Sequence, residues 1–380
     1  MKKIGFLVVI IIIMAGIIAS RNFFASEPNQ KIYVAIEGDG KIVILDPRTQ
    51  KVTSSIDLSI EYEGDHLSFH PHNVEVSPDH KTVWVTANFS EHKHEEGINF
   101  QSFLSIPRAS AHGLEEYLKA DVLIIIDPKT DTIAARIPIA KGIHLSHVSL
   151  VPDSSFAYVT AQMEGAIYKI DAKRFEIVNI ILVPINRIVA PKGSQPHGLR
   201  ISPDGQTAYI AMFGNKSLGI LDLKTDTFSE VPLGGQAVQT GITPDGQFVL
   251  ISLYDTKQLA VYFPNSKEVK YIKLPQSSKG PIQMYPTPDS RYVYLADQGY
   301  YFEKPASEWV YKIDLDTMSV VKEIKAGQGP HGIALSPDGK FAYVTNLLSG
   351  DLSIIDTATD QEVGRVNIGK EPNGISVWKK

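Results

Sequence analysis

Three histidines occupy one position of a repeated segment and have the spacing expected of ligands in a shared site. His72, His197 and His331 each follow a proline and lie six residues before the proline of a Pro-Asp turn. Asn373 holds the same place in the last, incomplete copy of the segment. Neutral imidazole is a good ligand for copper, zinc or a haem-type iron, and three imidazoles leave a coordination position open. These four residues are candidates to bind a ligand, and the three histidines are the candidate metal set.

Two more histidines lie close to this position in another copy of the segment. His144 and His147 belong to the copy between those of His72 and His197. They would add imidazoles to the same site. A structural interpretation competes with the chemical one: Pro-His-Gly then simply builds a turn, with each ring bonded to a neighbouring backbone carbonyl. The sequence leaves both interpretations open.

A repeated unit of four short strands must position these residues. Six Pro-Asp turns mark it, at Pro78, Pro152, Pro203, Pro244, Pro288 and Pro337. Each turn is followed by an apolar and aromatic run, and then by a third run that ends at or near an aspartate. Four strands joined by turns are typical of one propeller blade.

A seventh blade can be assembled from the two ends of the chain. Gly374–Trp378 supplies a first strand with nothing after it, and Lys31–Leu58 supplies three strands without a first one. Joining them closes the ring and removes open sheet edges. The sequence therefore predicts an all-β, seven-bladed β-propeller with four antiparallel strands per blade, closed by its N- and C-terminal strands.

The run Tyr343-Val344-Thr345-Asn346, set after a Pro-His-Gly turn and a Ser-Pro-Asp-Gly turn, resembles the YVTN family of seven-bladed β-propellers. The resemblance extends from Lys31 to Trp378. Proteins of this architecture include periplasmic binding proteins, surface-layer proteins, lactonase-like enzymes, and the haem d1 and copper domains of denitrification enzymes. The resemblance implies the fold and leaves the activity open.

The longest loops are predicted to lie on one face of the ring, called here the top face, where the innermost strands begin. The largest is an insertion at residues 89–120, which carries His92, His94 and Glu95, and residues 59–69 are predicted to form another of these loops. His-x-His beside a carboxylate can bind a divalent ion, although charged loops of this kind are also common as solvated surface. We predict that the insertion covers the central channel as a lid.

Composition excludes several classes of protein. The net charge of −5 over 380 residues argues against broad nucleic-acid binding, which requires a basic excess. The chain has no cysteine, so it has no disulfide, no thiolate metal ligand and no covalently attached c-type haem.

The N-terminus is of the secretory type. Lys2 and Lys3 precede an apolar run from Ile4 to Ile18, so residues 1–20 are predicted to be a signal peptide or a membrane anchor. Residues 21–30 would be a tether and residues 31–380 the propeller. The predicted location is periplasmic or extracellular, with membrane association through residues 4–19 if the segment is retained.

These observations favour an extracytoplasmic YVTN-type propeller that acts as a ligand-binding, metal-binding or protein-interaction scaffold through a histidine-lined funnel at its top face. A metal- or haem-dependent redox protein and a lactonase-like hydrolase are the alternatives. The sequence contains no Gly-x-Ser-x-Gly elbow, phosphate-binding loop or His-Glu-x-x-His helix to favour an enzyme. Copper, zinc or haem-type iron are the candidate cofactors, and the expected partner is an unknown ligand or protein at the top face.

Overall fold

A computed structural model describes residues 29–90, 118–186 and 188–380. The strands, in chain order, are β1 (Gln30–Ile36), β2 (Lys41–Asp46), β3 (Lys51–Asp57), β4 (Ile60–Tyr62), β5 (Asp65–Val76), β6 (Val83–Ser90), β7 (Asp121–Asp127), β8 (Thr132–Ala140), β9 (Leu145–Leu150), β10 (Phe156–Ala161), β11 (Ala166–Asp171), β12 (Glu176–Leu182), β13 (Pro196–Ile201), β14 (Thr207–Met212), β15 (Ser217–Asp222), β16 (Thr227–Pro232), β17 (Ala237–Ile242), β18 (Val249–Leu253), β19 (Gln258–Phe263), β20 (Glu268–Lys273), β21 (Pro281–Pro286), β22 (Tyr292–Gly299), β23 (Ala306–Asp314), β24 (Ser319–Lys325), β25 (Pro330–Leu335), β26 (Phe341–Asn346), β27 (Asp351–Asp356), β28 (Gln361–Asn367) and β29 (Pro372–Lys379). A short 3-10 helix, Glu37–Asp39, joins β1 to β2.

The strands form seven sheets, numbered here as blades from the one that contains both chain ends. Blade 1 has the order β29-β1-β2-β3, and blades 3 to 7 each take four consecutive strands. Blade 2 has five strands, β4 to β8. The innermost strands contact one another in sequence round the ring, from β5 through β9, β13, β17, β21, β25 and β29 back to β5. The predicted seven-bladed propeller is confirmed.

The ring closes as predicted from the strands at the two ends of the chain. β29 pairs antiparallel with β1, from Gln30 opposite Lys379 to Ile36 opposite Pro372. Trp378 is 5% exposed and packs with Tyr33 and Val74 in the core between blades 1 and 2. The closing strand therefore contributes to the interior as well as to the sheet.

The Pro-Asp turns are built by side-chain hydrogen bonds. In blade 7 the Ser336 hydroxyl donates to Asp338 Oδ1 at 2.7 Å and accepts from the backbone N–H of Phe341 at 3.0 Å. Gly339, at φ +71°, takes the left-handed position of the turn. Short polar side chains thus replace backbone partners at the bottom of the blades.

Charged clamps join neighbouring blades at their rims. Asp360, in the turn before β28, accepts from Lys312 Nζ at 2.9 Å and from the Tyr294 hydroxyl at 2.8 Å. Asp131 likewise accepts from Lys31 Nζ at 2.9 Å and from the Tyr33 hydroxyl at 2.6 Å. In both cases the cation and phenol come from the preceding blade in the ring, so the clamp fixes one blade against the next.

Two expectations about the top-face loops have different outcomes. Residues 59–69, expected as a loop, instead form a β4–β5 hairpin, because Glu63 and Gly64 adopt φ values of 51° and 92° and so reverse the chain within two residues. The predicted lid, with His92, His94 and Glu95, lies outside the described residues, as do the predicted leader and most of the tether. In the part of the chain that the structure describes, no helix is long and apolar enough to cross a membrane.

Candidate metal centre

Four imidazole rings meet near the top of the central channel. The ring centroid of His72 lies 5.3 Å from that of His144, 5.7 Å from His147 and 5.5 Å from His197. His147 and His197 are 5.0 Å apart. One ring nitrogen of each of His72, His147 and His197 lies within 4.8 Å of the other two. These three, called here the histidine triad, come from the innermost strands of blades 2, 3 and 4.

The threonine of the YVTN run helps to position these histidines. The Thr160 hydroxyl accepts from the backbone N–H of His147 at 3.0 Å and donates to the carbonyl of His197 in the next blade at 2.6 Å. Thr86 and Thr345 make the same two bonds: each hydroxyl accepts from a backbone N–H of its own blade and donates to a backbone carbonyl of the next blade. The inner strands shift register at these points, as at a β-bulge, and a bulge re-aims side chains. One small hydroxyl therefore locks each bulge and ties it to the neighbouring blade.

Asn373 lies beside the triad, whereas His331 lies outside it. Asn373 contacts the triad, since its Nδ2 lies 3.1 Å from His72 Nδ1. His331 lies outside the triad and has its own partner: its Nδ1 is 2.9 Å from Gln298 Oε1. The structure thus brings His72, His144, His147, His197 and Asn373 together, and it replaces His331 by His147 in the group with metal-ligand spacing.

Several ring nitrogens are buried without a hydrogen-bond partner among the described residues. They are Nε2 of His72, His147 and His331. His197 donates its Nδ1–H to the carbonyl of Val238 at 2.9 Å, which leaves its Nε2 lone pair free to act as a ligand. A buried polar atom without a partner costs about 1–3 kcal/mol. Two of these atoms, Nε2 of His72 and of His147, belong to the triad.

Burial keeps His144, His147, His197 and His331 neutral. It holds the pKa of His147 and of His197 well below the ordinary value, and the neighbouring histidines add to the effect. Burial, with the charge of His72, lowers the pKa of His144 to about 4 and that of His331 to about 3. Their lone pairs are therefore available at neutral pH.

Glu37 is a site residue that the sequence reasoning missed. Its Oε2 accepts from Asn373 Nδ2 at 2.5 Å and lies 3.6 Å from His72 Nδ1. Burial alone would raise the pKa of Glu37, but the hydrogen bond and charge of His72, with the Asn373 amide, outweigh it and lower the pKa to about 2. Glu37 begins the 3-10 helix between the second and third strands of blade 1. The sequence could have indicated Glu37, because the loop between the second and third strands of every blade lies on the top face.

Asp121 holds His144 in place from behind. Its carboxylate accepts from the backbone N–H groups of Phe89 and His144, both at 2.9 Å. Burial raises the pKa of Asp121 to about 6, against the effect of these bonds. His144 itself has φ 52°, an unusual conformation for this residue type. The carboxylate therefore stabilises a strained backbone next to the triad.

The other side of the channel is apolar. At the repeat position of His72, blades 5 and 6 carry Val238 and Ile282, which are 8% and 3% exposed and pack with Tyr254 and Phe213. Tyr301, in the loop above them, has a pKa raised by burial and, next, by the charge of Glu37. The innermost strands thus carry imidazoles in blades 2 to 4 and aliphatic side chains in blades 5 and 6.

Two known proteins match short segments of this chain. It is 36% identical over 70 residues to dihydro-heme d1 dehydrogenase of Pseudomonas aeruginosa, a match that covers 18% of this chain and 13% of that protein. It is 44% identical over 41 residues to hydrazine synthase subunit beta of Kuenenia stuttgartiensis, which covers 11% of each. The matched segments therefore span only a small part of either relative.

Solved structures share the fold over most of the chain. Kuenenia stuttgartiensis hydrazine synthase aligns with TM-score 0.61 and 17% identity, covering 82% of this chain and 95% of that one. The dihydro-heme d1 dehydrogenase NirN in complex with DHE aligns with TM-score 0.59 and 16% identity, covering 92% and 66%. A functionally unknown protein from Desulfotomaculum acetoxidans aligns with TM-score 0.68 and 14% identity, covering 92% and 99%. At these identities the likeness shows the fold alone.

The family is shown by a profile match rather than by these relatives. The profile of the YNCE-like beta-propellers matches residues 111–380, well over half of the chain. The match includes His144, His147, His197, His331 and Asn373, whereas His72 and Glu37 precede it. The propeller resemblance read from the repeat is confirmed, and the chain belongs to the YNCE-like beta-propeller family.

Proposed function

We propose that this protein is an extracytoplasmic propeller that binds one late first-row transition metal ion, copper or zinc, through His72, His147 and His197. The observation that carries the proposal is the approach of three ring nitrogens to within 4.8 Å of one another in a chamber where imidazole nitrogens lack partners. Metal–imidazole bonds are about 2.0–2.1 Å long, so one ion between the three nitrogens needs only a small closing movement.

The spacing of the rings favours an ion over a haem at this position. Ring centroids 5.0–5.7 Å apart place His72 against the other three rings and His147 against His197, without a gap for a macrocycle between the paired rings. A bound ion would supply Lewis acidity at its open position and, as copper, one-electron exchange. A redox role would thus add electron transfer to metal binding. We also propose that a ligand or partner protein reaches the site from the top face.

The surrounding residues orient the ligands. The carbonyl of Val238 fixes the ring of His197, and Glu37 with Asn373 fixes that of His72. An acceptor such as the Val238 carbonyl sets the tautomer and raises the basicity of a ligating imidazole.

Metal content and calorimetry test the proposal. Protein purified from its native compartment is expected to contain about one copper or zinc ion per chain, and the apoprotein to bind one of them more tightly than micromolar. Cysteine is absent, so thiolates cannot account for such binding. A metal-free native protein that binds neither ion below micromolar concentration would rule the proposal out.

Glu37→Gln is expected to weaken metal binding about 10- to 100-fold, because loss of an outer partner typically reduces affinity by this amount. The change keeps the shape of the side chain and removes the charge beside His72. Glu61→Gln is the matched control, since Glu61 is exposed and contacts His66 instead. Equal affinities of the Glu37→Gln variant and the wild type, measured by calorimetry, would show that the carboxylate does not support the site.

We also propose that the propeller lies outside the cytoplasmic membrane, exported by residues 1–20. Alkaline phosphatase, which needs an oxidising compartment for its disulfides, is expected to be active when fused after Lys380. Deletion of residues 2–20 is expected to abolish that activity. If the shortened fusion remains equally active, the N-terminal segment is not the export signal.

A further inference from the structure

A second group of polar side chains lies in the central channel below the histidines. Glu75, Arg200 and Tyr285 each lie three residues before the proline of a Pro-Asp turn, on the innermost strands β5, β13 and β21. In each blade this residue pairs with an aromatic residue of the second strand: Trp84, Tyr209 and Tyr294. The three residues therefore occupy one level of the channel, nearer the bottom face than His72 and His197.

Contacts across the ring show that these side chains point toward its axis. Nη1 of Arg200, in blade 4, lies 3.7 Å from Oε2 of Glu75, in blade 2, although blade 3 separates the two strands. The charges of Glu75 and Arg200 also act on the pKa of Tyr285, in blade 6. Side chains from blades 2, 4 and 6 approach one another in this way when they are directed into the channel. The three residues are called here the lower channel site.

The lower channel site is a recess that solvent can enter. The side chains of Glu75 and Arg200 are 25% and 22% exposed, and Tyr285 is 39% exposed. Burial nevertheless raises the pKa of Glu75 and of Tyr285, as expected where protein surrounds a side chain that still contacts water. The same repeat position of the other four blades carries Ser376, Ser149, Gly241 and Ala334. Three of the seven positions at this level thus carry a large side chain.

The polar groups of the site have few partners. Arg200 donates from Nη1 to the carbonyl of Leu199 at 3.1 Å. Its distance of 3.7 Å from Glu75 is longer than the about 2.7–2.9 Å of a charge-assisted hydrogen bond. No residue that the structure describes bonds the Glu75 carboxylate, the Tyr285 hydroxyl, or Nε and Nη2 of Arg200. Nε and Nη2 form the edge of a guanidinium that can bind a carboxylate through two parallel bonds.

We propose that the lower channel site binds a small zwitterion, such as a free α-amino acid. The carboxylate of the ligand accepts two parallel N–H bonds from Arg200 and a further bond from the Tyr285 hydroxyl. The ammonium group of the ligand lies against the carboxylate of Glu75. The inference does not depend on the metal, because none of these three residues belongs to the histidine triad.

The pair of opposite charges favours a zwitterion over a simple ion. A carboxylate alone would meet Arg200 but would lie beside the carboxylate of Glu75. An amine alone would meet Glu75 but would lie beside the guanidinium of Arg200. Like charges at such distances repel each other, whereas a zwitterion places the opposite charge against each side chain. Ordered water between the two side chains is the competing occupant, and the titration distinguishes it.

Calorimetric titration of the full chain with glycine, acetate and methylammonium tests the inference. Glycine carries both charges, whereas acetate and methylammonium carry one each. The protein is first dialysed against EDTA, so that a complex of glycine with a metal ion does not contribute to the heat. Glycine is expected to bind at least about 10-fold more tightly than either of the other probes, because it alone makes charge-assisted bonds to both Arg200 and Glu75.

Two substitutions that preserve side-chain shape locate the bound glycine. Glu75→Gln is expected to remove the preference for glycine over acetate, because the variant no longer attracts an ammonium group or repels an anion. Tyr285→Phe keeps the ring and is expected to lower glycine affinity about 5-fold, the effect of one lost hydrogen bond. Glu362→Gln is the matched control, because Glu362 forms an ion pair with Arg365 at 2.9 Å on the outermost strand of blade 7. This variant is expected to bind glycine like the wild type.

The inference fails in any of three cases. Glycine that does not bind at concentrations up to roughly 10 mM would leave the site to water alone. Acetate that binds the wild type as tightly as glycine would make the site one for anions. Glu75→Gln and Tyr285→Phe variants that fold, as shown by circular dichroism, and bind glycine like the wild type would place the glycine elsewhere. The comparison of the three probes on the wild type does not depend on the folding of any variant.

Discussion

A chain truncated before Pro372 is expected to lose its cooperative thermal transition. The deletion removes β29, the innermost strand of blade 1, which pairs with β1 along its whole length. It also removes Ile375 and Trp378, which are 7% and 5% exposed. Burying one such side chain contributes about 1.5–3 kcal/mol, and a typical domain has only about 5–15 kcal/mol of stability. The loss also uncovers the facing sides of blades 2 and 7, so nine residues account for a large fraction of the total.

Circular dichroism melting of the truncated and full chains provides the measurement. Removal of Lys380 alone is the control, because this residue is exposed and lies beyond β29. The control is expected to melt like the wild type. A chain without residues 372–380 that also melts at the wild-type temperature would show that ring closure contributes little to stability.

The strands were predictable from the sequence because their signals are local. Period-two patterns bounded by Pro-Asp turns recur along the chain, and side chains of the turn itself build it, as at Ser336 and Asp338. The pairing of β29 with β1 followed from counting strands at the two chain ends. Residues 59–69 escaped this reasoning, because the hairpin turn there uses Glu63 before Gly64 in place of a common turn pair.

The composition of the triad was not predictable from repeat position alone. His72, His197 and His331 hold one position in the repeat, but proximity depends on which blades are neighbours and on how each inner strand bends. Blades 2, 3 and 4 are consecutive, so His147 lies between His72 and His197. Blade 1 separates His331 from His72 and places Asn373 between them. His147 is one residue out of register with the others, a shift that the bulge locked by Thr160 accommodates.

The last prediction distinguishes His147, a member of the triad, from His331, which lies outside it. His147→Ala is expected to lower copper or zinc affinity about 100-fold or more, because a lost ligand costs at least as much as a lost outer partner. His331→Ala is the matched control: it removes a buried imidazole from another innermost strand, and the ring of His331 is hydrogen-bonded to Gln298. Its affinity is expected to remain close to that of the wild type. A larger loss of affinity in His331→Ala than in His147→Ala would assign His331 to the site and exclude His147.

The pH dependence of the same titration gives an independent check. An ordinary imidazole loses metal affinity as the pH falls through about 6.5, because the proton competes for its lone pair. Burial holds the pKa of His147 and of His197 well below that value. Proton competition at them sets in only at lower pH. Wild-type affinity is therefore expected to weaken at lower pH than the residual binding of His147→Ala, which, if it uses exposed histidines, is expected to weaken through about 6.5. Equal pH dependence of the two affinities would show that burial of His147 does not influence metal binding.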